Sequence, residues 1–146
     1  MNKESFEWYV KQLGKKKKWA TYRDRFICPC CFMPTLDERG GFDICLICFW
    51  EDDGQDTDDA EIVRRGGPNS DYSLKEAREN FEKYHTMYRP SDKHAFEREN
   101  RAMPLKKRMY QAFSKAIQSN SEEHWKIALE IENEYHNHSQ VDSVNM

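Results

Sequence analysis

The stretch CPCCFMPTLDERGGFDICLICFW, residues 28–50, decides how this chain folds. It carries Cys28, Cys31, Cys45 and Cys48 as two Cys-x-x-Cys pairs with thirteen residues between them. Each pair can wrap a tight turn around one side of a metal ion, and the intervening segment is long enough to bring the second pair round. Four thiolates at about 2.3 Å suit Zn²⁺, whose filled d-shell imposes no geometry of its own. A closed set of four sulfurs leaves no position for water or substrate, so the expected ion is structural. Pro29 presets the first turn, and the amides after it can donate to thiolate sulfur. A rubredoxin-type iron site uses similar knuckles and stays open as an alternative.

Cys30 is the odd thiol. In place of Cys28 or Cys31 it would give only a Cys-x-Cys or a vicinal chelate, so it is read as a bystander beside the metal. A redox or nucleophilic role would need a depressed pKa and a nearby partner. A thioredoxin-like reading fails because no βαβ pattern surrounds the first pair and a second pair follows. Between the pairs, residues 35–37 and 42–44 flank Glu38-Arg39-Gly40-Gly41, which predicts a tight hairpin.

Hydrophobic residues make up 38% of the 146, against 34% charged, so the apolar supply is lean and a metal staple would support a thin core. Eight Phe, seven Tyr and four Trp partly compensate. No apolar run approaches a membrane span, and the N-terminus lacks the apolar core of a secretory signal. With reduced cysteines this predicts a cytoplasmic protein.

The net charge of −3 hides an asymmetry. Residues 1–36 carry eight basic and three acidic residues, and residues 37–61 carry one basic and ten acidic. The acidic loop after Cys48 invites a calcium reading, but an EF-hand register on Gly54 puts Phe49 first and Ala60 last. The loop is expected instead to be a solvated surface, with Trp50, Glu51, Asp52, Asp53, Asp56, Asp58 and Asp59 facing a basic protein partner.

Periodicity predicts a helix over residues 4–13 (Phe6, Tyr9, Val10, Leu13) that stops at Gly14. The basic run Lys15–Lys18 follows, then an extended stretch over residues 19–27. Ser73 with Glu76 predicts a capping box for a helix with Leu74, Ala77, Phe81 and Tyr84 on its apolar face and Arg78 opposite. A further helix is expected over residues 91–101. A helical hairpin follows, its first stripe Leu105, Met109, Ala112, Phe113, Ala116 and Ile117 after Pro104. Its second helix is capped by Asn120 with Glu123 and carries Trp125, Ala128, Leu129 and Tyr135, with a frayed tail beyond His136. The five histidines (His85, His94, His124, His136 and His138) show no metal spacing, and no Walker A loop, dinucleotide fingerprint or nucleophile elbow is present.

Residues 28 to about 85 resemble the cysteine-rich CPCC family of small bacterial proteins. The resemblance rests on CPCC (28–31), TLDERGGFDICLICFWEDDGQD (35–56), RGGPN (65–69) and SLKEARENF (73–81). Leu46 stands where the family has proline, and Phe32 where a glycine is common, so the knuckle at Phe32 is expected to turn differently. The resemblance implies a zinc-ribbon-like module of the kind that accompanies toxin loci.

The reading is therefore an α+β protein: an N-terminal helix and basic arm (1–27), a zinc-ribbon-like β module with acidic loop and helix (28–90), and a C-terminal helical extension (91–146). Its expected function is a non-enzymatic zinc-binding interaction module that uses an acidic surface, with toxin neutralisation as one use of it. The alternative is nucleic-acid binding through Lys15–Lys18 with Trp19, Tyr22, Arg23 and Arg25, opposed by a pI of about 6.0.

Overall fold

The computed structural model describes residues 5–9 and 19–144, with side chains to residue 137. Val10, Leu13, Gly14 and Lys15–Lys18 lie outside the described residues. The architecture is α+β. Residues 5–9 are helical (α1) and precede strands β1 (Thr21–Tyr22) and β2 (Arg25–Phe26). Helices α2 (Leu74–Tyr84), α3 (Lys93–Arg101), α4 (Met103–Ser119) and α5 (Glu122–Val144) follow. The chain divides into two compact units, Met1–Glu99 and Asn100–Met146.

In the first unit the stretch predicted as extended is a hairpin. β1 and β2 pair antiparallel with Thr21 opposite Phe26 and Tyr22 opposite Arg25. The two turn residues, Arg23 and Asp24, both adopt left-handed conformations at φ 48° and 66°. Arg-Asp is not the Asn-Gly pair that announces such a turn, which is why the sequence hid it. Above it, Tyr9, Ala20, Ile27 and Phe32 form an apolar cluster flanked by Phe6, Trp8 and Tyr22. Phe32 packs its ring 5.0 Å from Tyr9 and 5.6 Å from Phe6.

The predicted hairpin between the cysteine pairs does not form. Leu36 pairs with Phe26 and Ile44 pairs with Glu51. Each arm thus folds back across its own cysteine pair, leaving residues 37–43 to bridge the two. The bridge is held by Asp43, whose carboxylate accepts from the Asp37 and Glu38 amides at 2.8 and 3.3 Å.

From that bridge Arg39 reaches into the acidic loop. Its Nε lies 2.9 Å from Asp52, its Nη1 3.0 Å from Asp56, and its Nη2 donates to the Gln55 carbonyl at 3.0 Å. The guanidinium also lies 4.1 Å from the Trp19 ring centre. Asp52 accepts further bonds from the Gly40 and Gly54 amides at 2.6 and 3.1 Å. Asp56 caps the 3₁₀ turn Thr57–Asp59 and accepts from the Tyr9 hydroxyl. Burial alone would lower the Arg39 pKa, but Tyr9 and Asp52 hold it above its ordinary value. Arg39 is therefore held as a cation between the Asp52 and Asp56 carboxylates.

Helix α2 starts at Ser73, whose hydroxyl accepts from the Glu76 amide at 3.0 Å. The second half of the expected capping box is missing, because the Glu76 carboxylate meets Arg89 at 2.8 Å. Arg78 is not opposite the buried face but on it, with Leu74, Ala77, Asn80 and Phe81. His85 ends the helix in a left-handed conformation at φ 60°.

In the second unit α4 and α5 form an antiparallel hairpin, with Phe113 on Trp125 at 5.6 Å and Arg108 3.2 Å from Glu134. Lys106, Met109, Phe113 and Ala116 are buried on α4, whereas Leu105, Ala112 and Ile117 are only half-buried. On α5 the buried stripe is Trp125, Ala128 and Glu132, with Leu129 and Tyr135 half-buried. Asn120 does not cap α5: at φ 49° it ends α4, and Ser121 accepts from the His124 amide at 3.3 Å instead. The helix continues to Val144 rather than fraying beyond His136.

Removing one member of a buried charge cluster leaves the others uncompensated. Arg39→Met should cost about 3–5 kcal/mol of stability, read by denaturant unfolding at fixed metal content. A loss under about 1 kcal/mol would show that Asp52 and Asp56 do not need that cation.

Candidate metal centre

The two cysteine pairs are held by the same construction. In the first, β2 reaches the knuckle through Phe26, which exchanges two backbone bonds with Leu36 at 2.8 and 3.1 Å. The Cys28 amide then donates to Met33 and the Phe32 amide to Cys28, both at 2.9 Å. In the second, the Cys45 amide donates to Trp50 at 2.9 Å and the Phe49 amide to Cys45 at 2.8 Å.

Both turns close on a residue with positive φ, Phe32 at 66° and Phe49 at 73°. A side chain there costs about 1–2 kcal/mol that glycine would not incur. Phe32 offsets this by burying its ring against Tyr9 and Phe6. The expectation that Phe32 alters the knuckle is thus corrected: the turn keeps its left-handed closure and the ring joins the core.

Cys28, Cys31, Cys45 and Cys48 converge. All four are buried, and their sulfurs lie within 4.8 Å of one another. Cys28 Sγ is 3.6 Å from Cys48 Sγ, and Cys31 Sγ is 3.6 Å from Cys45 Sγ. These separations far exceed a disulfide bond of about 2.05 Å, and all five cysteines are free thiols. Polar groups already point at the sulfurs. The Cys30 amide donates to Cys28 at 3.4 Å, the Trp50 amide to Cys48 at 3.5 Å, and the Thr35 hydroxyl to Cys45 at 3.1 Å. Such an arrangement could hold a metal ion.

The electrostatics ask for a cation. Burial pushes the Cys28, Cys31 and Cys48 thiols well above their ordinary range. Burial also acts to raise Cys45, but hydrogen bonds from Cys28, Cys31, Cys48 and Thr35 outweigh it and bring Cys45 down. Left to themselves, the four groups would share little negative charge. A divalent ion at their centre would supply a field that favours ionising all four. Cys30, 1% exposed, is raised chiefly by burial, the opposite direction from an activated nucleophile.

The acidic residues expected to face a partner are not one surface. Trp50 and Asp52 are fully buried and Asp56 nearly so. The carboxylates of Asp52 and Asp56 turn inward to Arg39, and Asp56 also lies 3.7 Å from Arg78. Asp53 accepts from the Gln55 amide at 3.0 Å, and Asp59 takes Arg64 at 3.0 Å. Only Asp58 is exposed, while Glu51 is half-buried. The physical reason is the lean apolar supply: the segment is held by carboxylate hydrogen bonds instead of side-chain packing.

Two helper residues escaped the sequence reading. Arg78 Nε donates to the Pro29 carbonyl at 2.8 Å, tying α2 to the first knuckle, and its guanidinium lies 5.2 Å from the Phe32 ring. Asn69 brackets Glu51, donating to its carbonyl at 2.7 Å and accepting from its amide at 3.1 Å. Arg78 had a legible signal, a cation beside an otherwise apolar helical face. Asn69 had none beyond its place in a turn.

Residues 26–101, just over half of the 146, match the family model described as Cysteine-rich CPCC. No curated protein and no solved structure matches the chain.

Hydroxyls that orient metal ligands typically contribute 10- to 100-fold in affinity. Thr35→Val should weaken metal retention by about 10-fold in competition with a chelator. Unchanged retention would remove the hydroxyl from any role at Cys45.

Proposed function

This chain belongs to the cysteine-rich CPCC family, and we propose that Cys28, Cys31, Cys45 and Cys48 bind one structural Zn²⁺ that staples a non-enzymatic, protein-binding module. The observation that carries the reading is the sulfur geometry. A tetrahedron with metal–sulfur distances of about 2.3 Å has edges of about 3.8 Å. Two sulfur pairs at 3.6 Å, and the 4.8 Å limit on all pairs, bracket that value. Amide and hydroxyl donors to Cys28, Cys48 and Cys45 suit thiolates rather than thiols.

Four sulfur ligands close the coordination sphere, which makes the ion a determinant of folding. Its dependents are numerous. The Cys48 carbonyl accepts from the Met87 amide at 2.9 Å, and Pro29 anchors α2 through Arg78. Loss of the ion would release both knuckles from one another and from the segments docked on them.

What remains for function is the surface arranged around this staple. A protein partner with basic groups, such as a toxin domain, would meet Glu51 and Asp58, the acids of the loop that are not paired with an arginine among the described residues. No helix among the described residues is long and apolar enough to cross a membrane. Nucleic-acid binding draws less support, because the arm's described side chains, Trp19, Tyr22, Arg23 and Arg25, are engaged within the fold. Arg39 lies over Trp19, Arg23 bonds the Tyr22 hydroxyl at 3.3 Å, and Arg25 donates to the Pro34 carbonyl at 3.4 Å.

Elemental analysis should find one zinc per chain, and cobalt substitution should give the absorption of a tetrahedral four-sulfur site. Cys30→Ser should keep full metal content, whereas Cys45→Ser should lose tight binding. Chelation should unfold the cysteine module, read by loss of near-ultraviolet signal from its aromatic residues. A chain that holds no stoichiometric metal, or that depends on Cys30 for it, would overturn the proposal.

A further inference from the structure

Three aromatic residues from separate segments meet beside the second knuckle. Phe49 follows Cys48, Tyr72 precedes α2, and Tyr88 lies between α2 and α3. The Phe49 and Tyr88 rings are 5.9 Å apart, and Tyr72 meets Tyr88 edge-on at 5.7 Å. They line a pocket of about 160 Å³ together with Ile44, Glu51 and Asp92. This is well below the roughly 300–1,000 Å³ of small-molecule sites, and its scale is that of a single inserted side chain.

The charges around the pocket show what it lacks. Arg89 lies 3.9 Å from the Tyr72 ring centre, but its cation is matched by Glu76 at 2.8 Å and Asp71 at 3.2 Å. Arg98 lies 4.5 Å from Phe49 and 5.5 Å from Tyr88, with Glu99 at 3.9 Å. These rings therefore already accept guanidinium groups within the chain, and each such group has its own carboxylate. The pocket's two acids are not spent in this way. Asp92 accepts from the Tyr72 hydroxyl at 3.0 Å, which leaves acceptor capacity on a carboxylate. Glu51 is clamped by Asn69 through its backbone. Its carboxylate carries no hydrogen bond or ion pair among the described residues.

We propose that this pocket receives an arginine side chain presented by a protein partner. The planar, weakly hydrated guanidinium stacks on aromatic rings and bonds carboxylates through its fork, which suits these walls better than the compact ammonium of lysine. Ile44, 47% exposed, offers the aliphatic stem an apolar contact at the rim. The inference rests on the metal-stapled binding module proposed above, because Phe49 is placed by the Cys45–Cys48 turn. It moves the partner contact from the acidic loop to the aromatic pocket behind it.

The test uses the full chain, isotope-labelled and zinc-loaded, titrated with N-acetyl-arginine-N-methylamide. Its citrulline counterpart (neutral and of the same shape) and its lysine counterpart serve as controls. Saturable amide shifts at Glu51, Tyr72 and Tyr88 are expected, with the arginine probe binding about 5-fold more tightly than citrulline, the scale of one exposed cation–π contact. Glu51→Gln and Asp92→Asn should each weaken the arginine probe about 5-fold, with metal content and the amide spectrum showing that each variant keeps its fold. Equal binding of citrulline or lysine, or arginine binding indifferent to Glu51→Gln, would overturn the proposal. Metal content is measured on the same samples, so a chain that keeps its zinc but ignores arginine fails here alone, and one without zinc fails at the staple.

Discussion

A guanidinium buried between two carboxylates holds the acidic half of the cysteine module together. Arg39 leaves the segment that bridges the two knuckles and enters a loop that would otherwise repel itself. Asp52, Asp56 and the Gln55 carbonyl receive it, and Tyr9 closes the cluster from α1. Burial and the Asp56 charge push the Tyr9 hydroxyl far above its ordinary range, so it remains a hydrogen-bond donor. One cation thus joins the N-terminal helix, the inter-knuckle bridge and the acidic loop, three segments that share no regular sheet. Such a cluster gives little net stabilisation over an apolar core, but it is intolerant of losing any one member.

The same economy explains the cysteines. A module whose strands are two residues long and whose other pairings are isolated bridges cannot rely on a backbone ladder. It uses point fasteners, and each works at a different junction. The four sulfurs join the two knuckles, Arg78 joins α2 to the first knuckle, and the Met87 amide joins the segment after α2 to the second. Asn69 replaces a missing strand partner for Glu51 by offering an amide side chain in place of a peptide group. Polar fasteners of this kind need few apolar residues, in keeping with a mean hydropathy of −1.02.

How much of this was legible depended on whether the signal was local. The convergence of the four cysteines follows from spacing, because a chelating turn is a short-range property. Ser73 as a cap and the start of α4 near Pro104 follow from local chemistry too. Apart from details of helix capping at Asn120 and Glu76, the failures were long-range or exceptions to a residue preference. Gly40-Gly41 read as a hairpin, yet the competing partners Phe26 and Glu51 took the flanking arms. Arg23-Asp24 and the two knuckle phenylalanines occupy left-handed conformations that composition assigns to glycine or asparagine. Ten acids in 25 residues read as surface, because no sequence window shows that Arg39 and Arg78 will be folded among them.

That last error changes what the charge of this protein means. Formal charge along the chain measures the potential seen by a partner only when the groups are solvated and unpaired. Here Asp52 and Asp56 are withdrawn from solvent and matched by buried arginines, so their contribution to the outer field is small. An acid held rigidly but left unpaired has the opposite weight, because its cost of ordering is already met and its charge is still available. Glu51 comes nearest to such a group: Asn69 fixes its backbone, and its side chain lines a pocket with three aromatic rings. On the proposed reading, recognition would rest on the Glu51 carboxylate and its aromatic walls more than on the length of the acidic run.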